Sequence, residues 1–244
     1  MEPSTGHTFL VSVPPATLLT SNCHSSSPRP GPAVDGPYVP DLPNRLLAGR
    51  DLNAVALVGH NSHEGNLFVD PSIVTDAAFD AYISNKLFSL YSPASQEHII
   101  KTLYPARYDG SNGYKTVKER LGLLISEAFI GCNAFGLASA AAHGNGSFGY
   151  VFAVSPGLHG QDIAYSFFTP GKESPHVENV TVAMEIQRYL TRFAIMGNVK
   201  GADGDSPIPD YKQGEMILNI SSEGSSLVRD DMMNMRCQWW QKNL

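Results

Sequence analysis

Blocks of like charge are missing from this chain. Its 17 Lys and Arg against 23 Asp and Glu leave a net charge of -6 over 244 residues, and nowhere do five or six of one sign run together. Nucleic acid is therefore not an expected partner, since neutralising phosphates needs clustered cations. No apolar run approaches the ~20 residues of a membrane-spanning helix, so no membrane span is expected. Cysteine is scarce. Cys23, Cys132 and Cys237 fit no zinc template, because no two lie within a turn of each other, and composition alone leaves open whether they are free thiols. The start, MEPSTGHTFLVSVPPATLL, has no basic residues, and Pro14-Pro15 interrupts its short apolar segment, so it does not read as a secretion signal. Set against that are three sequons, at Asn145, Asn179 and Asn219, which are candidate N-glycosylation sites. What remains, 42% hydrophobic and 16% charged, is the composition of an ordinary soluble globular protein with room for one large domain or two small ones.

Residues 1–30 read as an irregular N-terminal segment, and 21–43 are rich in Ser, Pro and Gly. A continuous apolar run then spans 53–59, the pattern of a strand buried on both faces. Helical spacing follows in two or three short pieces over 71–107 and in a longer stretch over 116–142, where Leu121, Leu124, Ile125, Ala128 and Phe129 recur at helical intervals. The spacing predicts a strand over 150–154, a loop carrying His159, and a helix over 177–196 ended by Gly197-Asn198. A loop over 201–209, a short strand over 216–220 and a terminal helix over 230–243 with two acids in its first turn complete the reading. Strands alternating with helical blocks predict an α/β fold. With three convincing strands, its sheet would have an open edge.

The stretch VALVGHNSHEGNLF (55–68) places Glu64 just past a strand, between two histidines and a glycine. Three readings compete. A metal site is disfavoured, because the related zinc motif needs Glu before His and both histidines on one helix face. A solvated turn around Asn61 and Gly65 is the ordinary outcome for such an acid. The third reading pairs Glu64 with His159, which follows a later strand. In open α/β sheets functional groups gather at the carboxyl ends of strands, and a carboxylate there can accept an imidazole Nδ1–H.

Several strings resemble the type-B carboxylesterases and lipases, the cholinesterase-like α/β-hydrolases, and among them the secreted fungal lipases and esterases. These are PAVDGPYVP (32–40), VGHNSHEGNLF (58–68) and HGQDIAYSF (159–167), in the family's order. The resemblance implies that Glu64 is the triad acid, that His159 is the catalytic base, and that Asp162 supports the site from behind. The surroundings of Cys132 and the ending MRCQWW (235–240) resemble the two halves of the family's late disulfide. That implies a Cys132–Cys237 bridge, hence an oxidising compartment, and leaves Cys23 unassigned. Even VSVPPATLL (11–19) fits. In two places the chain departs from the pattern: His63 stands where an acid is usual, and Ile208-Pro209 replaces a Trp-Pro.

The likeness maps onto only the C-terminal portion of the family, with residues 31–244 as that portion of the domain and its sheet incomplete. No G-x-S-x-G nucleophile elbow occurs. The nearest string, NGSFG (145–149), has Asn for the first glycine and precedes a strand, whereas the elbow follows one. The Gly-Gly oxyanion segment is absent too. The expectation is a carboxylic ester hydrolase fragment that is inactive alone, needs no cofactor or metal, and acts on a small-molecule ester if completed by an N-terminal half. The alternative is a non-catalytic esterase-like interaction module. The family is largely secreted, whereas the start of this chain does not read as a signal.

Overall fold

The computed structural model describes residues 34–47, 52–172, 176–199 and 207–243. The segment 1–30, Cys23 and most of the loop expected over 201–209 lie outside them. The chain divides into two compact units, one ending at Leu42 and the other beginning at Pro43. In the first, the Asp35 carboxylate accepts the N–H groups of Tyr38 and Val39 at 2.9 and 2.7 Å. This closes a turn through Gly36, whose φ of +82° suits glycine.

The second unit opens with α1 (Pro43–Leu47) and β1 (Ala56–Asn61), followed by a tight 3₁₀ turn, Glu64–Phe68. Helices α2 (Asp76–Tyr82) and α3 (Pro93–His98) each run on into a wider π turn. Helix α4 (Val117–Ser126), a π turn (Glu127–Gly131) and α5 (Cys132–His143) form one continuous helical run. Then come β2 (Ser147–Phe152), α6 (Gln161–Ser166), α7 (Val180–Met196), β3 (Met216–Ser221), β4 (Gly224–Arg229) and α8 (Met235–Asn243). The sheet has the order β1-β2-β3-β4. The first three strands are parallel and β4 is antiparallel to β3. Among the described residues no strand pairs with the outer edge of β1.

Period-two alternation explains how the sheet is covered. Phe148, Phe152, Leu218 and Ile220 face α7, which presents Val182, Ala183, Ile186 and Tyr189 at intervals of one helical turn. Ile217 with Val58, Val151 and Val228 faces Ala138 and Ala142 of α5. A separate helical core gathers Phe79, Ile83, Tyr104, Leu121, Leu124 and Trp240. The bridge Cys132–Cys237 ties the start of α5 to α8 inside it. Beside the bridge, fully buried Glu127 accepts both Nε and Nη2 of Arg236, at 2.6 and 2.7 Å, and the Tyr104 hydroxyl at 2.6 Å. Burial pushes the Tyr104 phenol well above its ordinary range, and the neighbouring Glu127 carboxylate adds to it.

Several elements differ from the sequence reading. β1 occupies 56–61 rather than 53–59, and β2 begins three residues early, at Ser147. A fourth strand, GSSLVR, is present; its polar composition hides it, and its partner is supplied by β3. The terminal helix starts at Met235, with no acid in its first turn. Asp230 instead closes the end of β4: its N–H donates to the Glu215 carbonyl, and its carboxylate accepts the Tyr211 hydroxyl and the Met232 N–H. The 27-residue run Val117–His143 is long and apolar enough to cross a membrane by length and composition alone. It is also the central helix of the core: over half of its apolar window is buried, with Leu121, Leu124 and Ala128 fully so.

Candidate functional site

Strand pairing brings the two loops of interest together. β1 and β2 are parallel and in register, Asn61 opposite Phe152, so their carboxyl ends coincide. Past that point the Ser62 N–H donates to the Phe152 carbonyl (3.0 Å) and the His63 N–H to the Gly157 carbonyl (2.8 Å). Gly157 sits at φ +68°, where a Cβ would lie 2.1 Å from Ser62 Oγ, so only glycine allows this approach. Gln161 steadies the second loop, accepting the Leu158 N–H and donating to the Ser155 carbonyl, both at 3.1 Å. Gly65 lets the first loop settle onto α4. Its N–H donates to Ser126 Oγ at 2.7 Å, and a Cβ there would meet the Gly122 carbonyl at 2.1 Å.

Glu64 therefore lies inside, with its side chain 4% exposed, which removes the solvated-turn reading. Its Oε2 accepts from His159 Nδ1 at 2.6 Å, and its Oε1 accepts the Asn61 N–H at 2.6 Å. A carboxylate oxygen accepts, so Nδ1 carries the proton and Nε2 carries the free lone pair. The His159 side chain is 47% exposed. The imidazole is thus held in one tautomer by a buried carboxylate while its basic nitrogen faces outward, the geometry of a general base awaiting a proton donor.

Behind the pair, Asn61 Nδ2 donates to Asp162 Oδ1 at 3.0 Å and lies 3.4 Å from Glu64 Oε1. Asp162 is thereby linked to Glu64 through Asn61 rather than directly. Tyr150, opposite Gly59 in the register, lies across that glycine; a Cβ there would fall 2.1 Å from its ring. Burial first, then the Asp162 and Glu64 carboxylates, push the Tyr150 phenol up to about 12. The bridging part of Asn61 and the packing of Tyr150 went unseen in the sequence; a polar residue at a strand's end and a tyrosine inside one carry no periodic signal of their own.

In front, a largely apolar groove of about 410 Å³ opens beside His159, lined by Phe68, Tyr82, Leu87, Ile125, Phe129 and Ile130. The Phe68 and His159 rings lie 5.2 Å apart. Phe129, which shares the helical spacing of Leu121 and Leu124, is exposed into this groove, whereas those two are fully buried. His63, the other histidine of the disfavoured metal motif, has its Nδ1 2.9 Å from Ser62 Oγ.

The remaining candidates are dispersed. Ser147, centre of the string closest to a nucleophile elbow, opens β2 and is fully buried. Asn145 is exposed beside it, with Nδ2 on Asn53 Oδ1. Asn179 caps α7 through Oδ1, accepting the Thr181 and Val182 N–H groups. Asn219 lies within β3, half-buried.

Comparison with known proteins adds three findings. Residues 12–240 match the carboxylesterase family. The carboxylesterase PatB of Aspergillus clavatus is 31% identical over 238 residues, covering 94% of this chain and 42% of that protein, and the human protein neuroligin-2 is 28% identical over 209 residues, covering 73% and 24%. The crystal structure of Aspergillus niger EstA superposes with a TM-score of 0.71 at 18% identity, covering 89% of this chain and 46% of EstA. The chain thus spans less than half the length of these proteins.

Proposed function

The chain belongs to the carboxylesterase family, and from that premise we propose that Glu64 and His159 are the acid and base of a serine–glutamate–histidine relay that hydrolyses carboxylic esters. The observation that supports this most is the 2.6 Å contact between Glu64 Oε2 and His159 Nδ1. In this reading His159 Nε2 takes the proton of a serine hydroxyl as it attacks the ester carbonyl. The ring then returns that proton to the leaving alcohol and repeats the cycle with water. Glu64 keeps the ring in its Nδ1–H tautomer and stabilises the imidazolium formed on the way. Asn61 and Asp162 position Glu64 rather than touch the reacting atoms.

Neither a G-x-S-x-G string nor a Gly-Gly oxyanion segment occurs in these 244 residues, so the hydroxyl and the oxyanion donors would come from outside them. A base without a nucleophile within about 3 Å has nothing to activate. The 244 residues by themselves are therefore expected to turn over no ester. The apolar groove beside His159 favours substrates with an apolar acyl or alcohol group. A purely binding module would have no use for a buried carboxylate gripping a half-exposed imidazole.

The test joins the preceding segment of the Aspergillus clavatus carboxylesterase to this chain and measures hydrolysis of a p-nitrophenyl ester. The joined protein should be active, and His159→Gln should lower its turnover by on the order of 10⁴. Turnover within tenfold of the parent in His159→Gln, or hydrolysis by the unjoined chain, would overturn the proposal.

A further inference from the structure

A second cluster of ionisable groups draws on β1 and on the residues after β4, and shares no side chain with the Glu64–His159 pair. His60 projects from β1, and Asp230 and Asp231 follow β4. One ring nitrogen of His60 and one carboxylate oxygen of each aspartate fall within 4.8 Å of one another. His60 is only 8% exposed, and its Nδ1 lies 3.0 Å from the Asn61 carbonyl oxygen. A carbonyl can only accept, so Nδ1 carries the hydrogen and Nε2 keeps a bare lone pair. Among the described residues that buried Nε2 has no hydrogen-bond partner. Buried polar atoms are ordinarily satisfied, so an orphan of this kind asks for an explanation. An imidazole anchored by a backbone carbonyl on one nitrogen and open on the other is prepared for metal ligation.

The aspartates are prepared in the same sense. Asp230 accepts the Tyr211 hydroxyl on Oδ2 at 2.7 Å and the Met232 N–H on Oδ1 at 2.9 Å, which fixes the carboxylate and leaves lone pairs on both oxygens. Asp231 is exposed and lines a cleft of about 580 Å³ together with Ser62, His63, Asn66 and Arg236. His60 and Asp230 line a separate small cavity of about 10 Å³, so the cleft meets the cluster at Asp231. We propose that His60, Asp230 and Asp231 bind a divalent first-row transition cation, with water from the cleft completing its coordination. One imidazole and two carboxylates make a mixed nitrogen and oxygen donor set that suits Zn²⁺, with three protein ligands and an open side. The ion would clip the end of the outer strand β1 to the segment leading into α8, next to Asn61. The inference goes beyond the ester-hydrolase reading and does not depend on it.

The purified 244-residue chain is titrated with Zn²⁺ against a chromophoric chelator, and its thermal midpoint is followed with and without the metal. One equivalent should bind and raise the midpoint. His60→Gln should abolish both effects, Asp231→Asn should weaken binding at least tenfold, and His63→Gln, in the same cleft, should change neither. Asp231 is at the surface, so its variant decides the matter even if His60→Gln fails to fold. Absence of stoichiometric binding by the parent chain would refute the site. Binding that survives Asp231→Asn unweakened, or that is lost in His63→Gln, would refute it as well.

Discussion

Replacing Cys132 and Cys237 together by alanine should cost the folded state about 5 kcal/mol. The bridge joins positions 105 apart in the chain. In the chain-entropy treatment, closing a loop of that length removes about 16 cal/mol/K from the unfolded ensemble, or roughly 4.8 kcal/mol at 25 °C. That is between a third and nearly all of a typical domain's net stability of about 5–15 kcal/mol. Both cysteines are fully buried in the helical core, so the folded packing around them changes little beyond two lost sulfur atoms. Equilibrium unfolding in urea reads the effect conveniently, because the protein's two tryptophans, Trp239 and Trp240, lie on α8 beside Cys237. The midpoint should fall. The dependence on denaturant should steepen, since an uncrosslinked unfolded chain exposes more surface. A loss below about 1 kcal/mol with an unchanged slope would show that the bridge does not act through the unfolded chain, and the reasoning would fail.

Two further outcomes follow from the site. Gly65→Ala would put a Cβ 2.1 Å from the Gly122 carbonyl oxygen and 2.5 Å from the Ser126 nitrogen. The loop must then lift, costing about 1–3 kcal/mol or more and carrying Glu64 away from His159; an unchanged thermal midpoint together with an intact downfield His159 Nδ1–H resonance would contradict this. Tyr150 is held neutral in the fold up to about 12, while an unfolded tyrosine ionises near 10. Its stabilisation is therefore complete below pH ~10 and lost as the pH climbs to ~12, amounting to about 2–3 kcal/mol. Ultraviolet titration should show part of the tyrosine absorbance change arriving only with alkaline unfolding, and every tyrosine titrating near 10 in a still-folded chain would refute it.

Local pattern carried much of the fold. A helix was expected over 177–196 and α7 spans Val180–Met196, ended as expected at Gly197, where the backbone turns left-handed at φ +64°. Polar β4 was invisible because its strand character comes from hydrogen bonds to β3 and not from its own residues. Asp230 and Asp231 looked like a helix start; a buried contact to Tyr211 holds Asp230 to the end of β4 instead. At the site, the pairing of Glu64 with His159 was expected from resemblance to a family pattern and the two are in contact, while their bare chemistry was compatible with a solvated turn and a surface histidine.

By itself, then, the sequence determined the helices, the parallel strands and the residue types available for proton transfer, because periodicity and side-chain chemistry are local properties. Only the tertiary structure decided that residues 95 positions apart share a proton, that Asn61 bridges two acids, and that His60 meets Asp230 and Asp231. Each of those depends on strand register and on close backbone approach at glycine, and neither is written in any single stretch of the chain.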